Sequence, residues 1–250
     1  MRIVGGTSAL ITALAARLPE GVIHLQTRVA RVARGGEALE IELRDADGST
    51  QTVRAAHAIL ALPPRLLAAT ISFSPSLAAE TERRWRETAT WMAPHAKFFA
   101  CYDHPFWREH GLSGTAQSMV GPLVELHDAT TASGQAALFG FVGVPADQRA
   151  AIGREALISA AVEQLAKLFG PDARTPRTTL LKDWAADPLT ATPDDRVGGG
   201  HPAPTLEPWV TGEWSERLSL AGSETSRSEP GYLAGAVEAA EHAVSETLRK

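Results

Sequence analysis

Polar and apolar residues alternate most cleanly in Leu39-Glu40-Ile41-Glu42-Leu43. That period predicts a half-exposed strand, which turns at Asp47-Gly48 and returns through Gln51-Thr52-Val53. Arg28-Val29-Ala30-Arg31-Val32 alternates as well and follows the apolar stretch Val22-Ile23-His24-Leu25. His57-Ala58-Ile59-Leu60-Ala61-Leu62 is an apolar run stopped by Pro63-Pro64, and it predicts a strand covered on both faces, as in a parallel sheet. Ahead of these, Arg2-Ile3-Val4 reads as a strand end. Gly5-Gly6 then opens a helix that Thr7 or Ser8 can cap, with Leu10, Ile11, Leu14 and Leu18 on one stripe.

The middle of the chain has another texture. Residues 77–86 predict a charged, exposed helix, while 97–102 and 137–142 predict strands separated by the aromatic turn Pro105-Phe106-Trp107. Residues 155–169 predict a broad-faced helix ended by Gly170-Pro171, and Thr179-Leu180-Leu181 a strand running into Asp183-Trp184. Residues 185–208 are rich in proline and glycine and lack periodicity, as functional or linking segments often do. The α/β style then returns. Leu218-Ser219-Leu220-Ala221 predicts a short strand with a tight exit at Gly222-Ser223-Glu224-Thr225. Pro230-Gly231 opens a helix with Leu233, Val237, Ala240, Val244 and Leu248 on one face.

Composition narrows the classes. With 250 residues, 44% hydrophobic and 21% charged, the chain has the material for a sizeable core. A net charge of −5 without a basic stripe argues against nucleic acid as a partner. Cys101 is the only cysteine, which excludes an intramolecular disulfide framework and a cysteine zinc cage; it reads as a small core hydrophobe. The eight histidines are scattered, with no H-E-x-x-H and no G-x-S-x-G, so no metal site is expected. No apolar run reaches the ~18 residues of a membrane span, and no cleavable leader precedes the first motif. The expectation is a cytoplasmic chain.

The residues with most chemical promise are Ala221-Gly222-Ser223-Glu224-Thr225 and the segment from Gly231 to Glu238. A glycine after a buried strand lets backbone approach a ligand closely. A helix starting near Gly231 points free N–H groups and partial positive charge at whatever sits before it. Such a start would stabilise the negative charge of a reduced flavin. A strand–turn–helix crossover with no ligand accounts for the same spacing.

Together with Gly5-Gly6, Val29, Ala61-Leu62-Pro63-Pro64, Ile71-Ser72-Phe73-Ser74-Pro75, Lys97 ahead of Pro105-Phe106-Trp107, and Asp183-Trp184, this tail resembles the flavin-containing amine oxidases. That family includes monoamine, polyamine and L-amino-acid oxidases. The resemblance covers nearly the whole chain and implies roles for individual residues. Val29 matches the backbone position that meets adenine, and Ala61 the strand end beside the nucleotide. Gly222, Ser223 and Glu224 match the turn at the pyrophosphate and ribityl chain. Gly231 opens the following helix, and Leu233 matches the N–H facing the flavin carbonyl. Tyr232 matches one wall of an aromatic cage, Trp184 the tryptophan near the isoalloxazine, and Lys97 the lysine that holds a water at flavin N5. Apart from the resemblance, Lys97 reads as a strand lysine reaching for solvent, Tyr232 as helix-start packing and Trp184 as core.

The chain also departs from the family pattern. Gly5-Gly6 is not the G-x-G-x-x-G loop, and no acidic ribose ligand follows it. The proline-glycine stretch lacks the cysteine that tethers flavin in some members, so FAD is expected to be non-covalent, and weak in this chain alone. His201 is the one candidate for a second cage aromatic. The expected fold is α/β with an α+β insertion: an incomplete, Rossmann-like FAD-binding domain (1–86 and 187–250) interrupted by a mixed sheet-and-helix substrate domain (87–186). The implied chemistry is oxidation of an amine or amino acid, with a partner chain or homo-oligomer supplying the dinucleotide loop. A fold relic serving as an interaction protein without FAD, or a truncated gene product, are the alternatives.

Overall fold

Alternation becomes strand pairing wherever one face finds apolar cover, and the computed structural model, which describes residues 3–249, shows where it does. In chain order the first half holds α1 (Thr7–Ala15), β1 (Thr27–Gly35), β2 (Ala38–Asp45), β3 (Thr50–Ala55), β4 (Ala58–Leu60), α2 (Pro64–Thr70), β5 (Ser72–Ser74) and α3 (Ala79–Glu87). The next stretch holds β6 (Ala96–Tyr102), α4 (Phe106–Glu109), β7 (Ala116–Gln117), β8 (Leu123–Asp128), β9 (Ala136–Val142), α5 (Ala146–Ile152), α6 (Arg154–Phe169) and β10 (Thr178–Asp183). Last come β11 (Leu218–Leu220) and α7 (Leu233–Thr247). The described residues form two compact units: one is the segment up to Ile23 with Pro94–Asp187, the other His24–Ala93 with the chain from Pro188 on.

The first unit is built on an antiparallel sheet in the order β10-β6-β9-β8-β7. Along β6 every second residue is buried, which places Phe98, Ala100 and Tyr102 in a core with Leu138, Leu157, Leu165 and Phe169. The Gln164 amide is paired at both its oxygen and its nitrogen in that core: it accepts from Leu123 N (2.8 Å) and donates to Leu123 O (2.7 Å). Gly121 makes room for it, since a Cβ there would meet the Gln164 oxygen at 2.4 Å.

The second unit contains two sheets. The first has the order β3-β2-β1-β5, with β1 antiparallel to β2 and parallel to β5. Its inner face joins a core in which Phe73 meets Trp85 and Trp214 edge-on at 5.7 and 5.6 Å. Two of the buried indole nitrogens are used as well, Trp85 donating to Trp209 O (2.7 Å) and Trp214 to Pro75 O (3.2 Å). The second sheet is the parallel pair β11–β4, registered Leu218↔Ala58 to Leu220↔Leu60.

Several expectations change. Arg2 lies outside the described residues, and Ile3 and Val4 are not in a strand. Gly6, not Thr7 or Ser8, is the N-cap of α1, and no α1 residue is buried, so its stripe covers nothing. Residues 22–25 are exposed and outside any strand. The run at 57–62 does pair in parallel, but Ile59 and Leu62 are 39% and 41% exposed, so it is not covered on both faces. In α7 the buried residues are Gly235, Ala239 and Ala243, because small side chains let the helix pack closely on β11. Leu233, Val237, Val244 and Leu248 point outward instead. The strand β4 ends at Leu60, ahead of Pro63-Pro64, and Pro64 starts α2, where its fixed φ suits a first helical turn. Sequence periodicity passed over α2 and the strands β7 and β8.

Candidate active site

In the first unit, β6 and β10 bring two of the expected residues together. Lys97 and Lys182 are register partners, and the chain leaves β10 at Asp183 directly into Trp184. The Lys97 ammonium faces a wall of rings, 5.1 Å from the centroid of Phe141, 5.3 Å from Trp184 and 5.9 Å from Phe139. Among the described residues it has no hydrogen-bonded acceptor. An ammonium half-buried against rings, with its donors unused, is suited to hold a water or an acceptor atom of a bound group. His95, just ahead of β6, also reaches Phe141 (6.3 Å). Burial, then the charges of Arg149 and Lys97, push its pKa down and keep it neutral.

The position of Trp184 is fixed from behind. Its N–H donates to His95 O (3.1 Å). The Asp183 carboxylate is held by Arg149 Nε and Nη2 at 2.7 and 2.6 Å, while the same guanidinium donates to Val144 O (2.6 Å) and Pro94 O (2.9 Å). Arg149 and His95 are residues that sequence reasoning missed. No local pattern marks a buried arginine whose partners lie 34 and 55 positions away.

In the second unit, the carboxyl ends of the parallel pair meet, which is where open α/β sheets present ligands. Ala221 N donates to Leu60 O (2.9 Å), so Ala61 and Gly222 emerge side by side. A Cβ on Gly222 would lie 2.6 Å from Leu62 O, so only glycine permits this approach. The turn Ser223–Thr225 is a single 3-10 turn tied by Thr225 N and Oγ1 to Gly222 O (2.9 and 2.8 Å). Gly231, at φ +78°, donates its N–H to Ser223 O (3.1 Å) and so brings the start of α7 back to this turn. Tyr232 is the N-cap of α7 but makes no side-chain cap, and the first turn has no acidic residue. The leading N–H groups, Leu233's among them, are thus left for an external acceptor, and the helix end favours negative charge there. The uncapped helix start fits the acceptor that the flavin half of FAD presents.

Two expected cofactor positions differ from this group. The Glu224 side chain is only 5% exposed, and burial raises its pKa. It turns inward to accept from Ser223 Oγ (3.3 Å) rather than facing a ligand, so any contact at this position falls to the backbone. Val29 lies in the other sheet, where the β1–β2 register slips between Val29 and Arg31. Such a bulge releases backbone groups from the ladder, as a backbone contact to a base requires.

Tyr232 is one of three rings in contact. His201 lies 5.0 Å from it and Trp91 5.5 Å, and those two are 4.4 Å apart. His201 therefore stands in ring contact with Tyr232. Trp91 had no signal beyond its residue type. Among the described residues no group of three His, Cys, Asp or Glu side chains is placed to hold a metal ion, and no helix is long and apolar enough to cross a membrane.

The family described as flavin containing amine oxidoreductase matches residues 1–248. A probable flavin-containing monoamine oxidase A from Dictyostelium discoideum is 28% identical over 95% of this chain and 51% of its own length. An L-amino acid dehydrogenase from Synechocystis sp. is 27% identical over 96% of this chain and 49% of its own. A putrescine oxidase from Kocuria rosea is 28% identical over 76% of this chain and 41% of its own. The chain thus spans about half the length of the curated relatives it matches. Among solved structures, putrescine oxidase bound to putrescine superposes with a TM-score of 0.75 at 23% identity, covering 98% of this chain and 53% of that one. Cyclohexylamine oxidase from Brevibacterium oxydans does so with a TM-score of 0.75 at 24% identity, covering the same shares. These structures share the mixed α/β fold, and with the match along almost its entire length the chain belongs to the flavin-containing amine oxidoreductases, whose cofactor is FAD.

Proposed function

We propose that this chain forms part of an FAD-dependent amine oxidase that oxidises the C–N bond of an amine or amino acid with O₂ as acceptor. The observation that carries the reading is the junction in the second unit: Gly222 pressed on Leu62 O, and the uncapped start of α7 tied to the same turn by Gly231. When bound, FAD supplies the hydride acceptor, and the imine product hydrolyses to an aldehyde or keto acid plus ammonia or an amine.

The chain's own groups supply placement and electrostatics. Val29 and Ala61 offer backbone to the nucleotide, and Gly222, Ser223 and Glu224 offer backbone to the pyrophosphate and ribityl chain. Gly231 sets the direction of α7, and Leu233 N–H faces the flavin carbonyl. On the first unit Lys97 would hold a water and Trp184 would offer a ring to the substrate, and on the second unit Tyr232 would offer a ring to the amine. In this reading the second unit is the FAD-binding part and the sheet of the first unit the substrate part, in an acidic, single-cysteine chain suited to the cytoplasm.

The dinucleotide loop comes from a completing segment, carried by a partner chain or a longer polypeptide. Among the described residues β11 pairs only with β4, and a two-stranded parallel sheet with a free edge is a site for strand addition. A cavity of about 530 Å³ lies against Leu218, Leu220 and Ala239, next to that edge. Without that segment, each missing charge-assisted hydrogen bond to the pyrophosphate costs ~1.5–3 kcal/mol, so the chain alone holds FAD weakly. The test is amine-dependent bleaching of the flavin spectrum under anaerobic conditions, with and without the completing segment. No bleaching in the completed, FAD-loaded protein across alkylamines and amino acids would refute the oxidase reading.

A further inference from the structure

The parallel pairing of β11 with β4 sets a serine against a histidine on one face of that sheet. Ser219 and Ile59 are register partners, and Ala58 N donates to Arg217 O (2.9 Å), which carries the pairing back to His57. Side chains two positions apart on a strand share a face, so His57 comes to the Ser219 side, with its Nε2 3.0 Å from Ser219 Oγ. Its other nitrogen, Nδ1, lies 3.2 Å from Glu216 O. A carbonyl only accepts, so Nδ1 carries the hydrogen, and in the neutral ring Nε2 is left to accept the Ser219 hydroxyl proton. Ser219 is only 5% exposed, yet it lines the cavity of about 530 Å³. Trp209 lines the same cavity, and its buried Nε1 has no hydrogen-bond partner among the described residues. A buried indole N–H without an acceptor costs free energy unless something in the cavity supplies one.

We propose that Ser219 and His57 form a nucleophile–base pair that hydrolyses short, uncharged carboxylic esters held in this cavity. Glu216 O is the orienting acceptor behind the histidine, and Trp209 Nε1–H is the donor for the ester's carbonyl oxygen. Ser219 Oγ adds to the carbonyl carbon while His57 Nε2 takes the hydroxyl proton. The bond to the alcohol oxygen then breaks, and His57 returns the proton to that leaving group. Water repeats the sequence on the acyl-serine, which releases the carboxylic acid and restores both residues. Leu220, Val210 and the Trp209 ring offer apolar surface for the acyl chain. Arg227 and Arg249 are matched in the lining by Glu207 and Glu246, so a charged ester gains no preference. The reaction uses neither FAD nor an amine and is independent of the oxidase reading.

The test uses the full 250-residue chain without FAD. A fluorophosphonate probe should attach once, and peptide mass mapping should place it on Ser219. Labelling should vanish in Ser219→Ala and fall about 10²- to 10⁴-fold in His57→Gln. It should also slow as pH is lowered, because an imidazolium cannot take the proton. Trp209→Phe keeps the ring that lies under Arg84 and removes the N–H, so it should slow 4-nitrophenyl butyrate hydrolysis about 10²-fold in kcat with little change in KM. Thermal melts show whether each variant is folded, and the mapping on wild type decides the matter even where one is not. No probe on Ser219, equal labelling of wild type and folded His57→Gln, or labelling indifferent to pH would each overturn the proposal. So would undiminished ester hydrolysis by Ser219→Ala, or an unchanged kcat in Trp209→Phe.

Discussion

Replacing Asp183 by asparagine should be among the most damaging single changes in the first unit. The Arg149 side chain is 3% exposed and that of Asp183 22%. Arg149 makes four hydrogen bonds, two of them to the Asp183 carboxylate at 2.7 and 2.6 Å. In Asp183→Asn one of those two meets an amide NH₂, donor against donor, and the guanidinium keeps its charge in the interior. Breaking a buried pair from one side costs ~3–5 kcal/mol, and because Asp183 reaches some solvent the lower figure applies, ~3 kcal/mol. At ~2–4 °C per kcal/mol for a chain of this size, the melting temperature should fall by roughly 6–12 °C. Arg149→Met keeps the apolar stem but leaves two carbonyls and the Asp183 carboxylate short of a donor; because that carboxylate reaches solvent where the guanidinium does not, the change should cost less, ~2 kcal/mol. The double variant should be little worse than Arg149→Met alone, with a coupling of ~1.5–3 kcal/mol. Urea titrations of the four proteins followed by circular dichroism give these numbers. A cost below ~1 kcal/mol for Asp183→Asn, or single costs that simply add, would refute the clamp.

Other outcomes follow from single contacts. The Glu238 carboxylate accepts from the Ser226 and Ser228 hydroxyls, which lower its pKa to about 2. A depressed carboxylate stabilises the fold above its unfolded value and loses that contribution as pH falls toward 2, so Glu238→Gln should flatten the acid limb of stability, read by thermal melts between neutral pH and pH 2. Gly222→Ala keeps an ordinary φ of −67° yet puts a methyl 2.6 Å from Leu62 O, and FAD affinity in the completed protein should drop more than ~tenfold by flavin fluorescence, with ~1–3 kcal/mol lost in stability. Lys97→Met, nearly matched in stem volume, should leave FAD uptake unchanged and slow flavin reoxidation by O₂ in stopped flow more than it slows reduction by amine. The exposed Val237 and Val244 on α7 should make the chain associate, and charge at both positions should lower the light-scattering mass and the binding of an apolar dye.

What was legible in the sequence has a local or ordered signature. Alternation at 39–43 and the Asp47-Gly48 turn specify the β2–β3 hairpin, because a period of two decides which face is covered and the glycine at φ +86° closes the turn. The glycines at 222 and 231 and the helix after them could be placed because backbone demands write themselves into residue type. The ordered set of short pieces was enough to show the family.

Tertiary structure decided what depends on partners far along the chain. Two apolar stripes of similar strength, in α1 and α7, read alike, yet α7 buries its small residues and α1 buries none, since a stripe states that a face is apolar and not what will meet it. Arg149, Arg65 and Trp91 lie in segments that read as loops or surface helix. They matter because a carboxylate 34 or 130 residues away, or a ring 141 residues away, comes within contact distance. Only the fold sets those distances, because the free energy of a buried ion pair or a ring contact exists only once water has been excluded from between its partners.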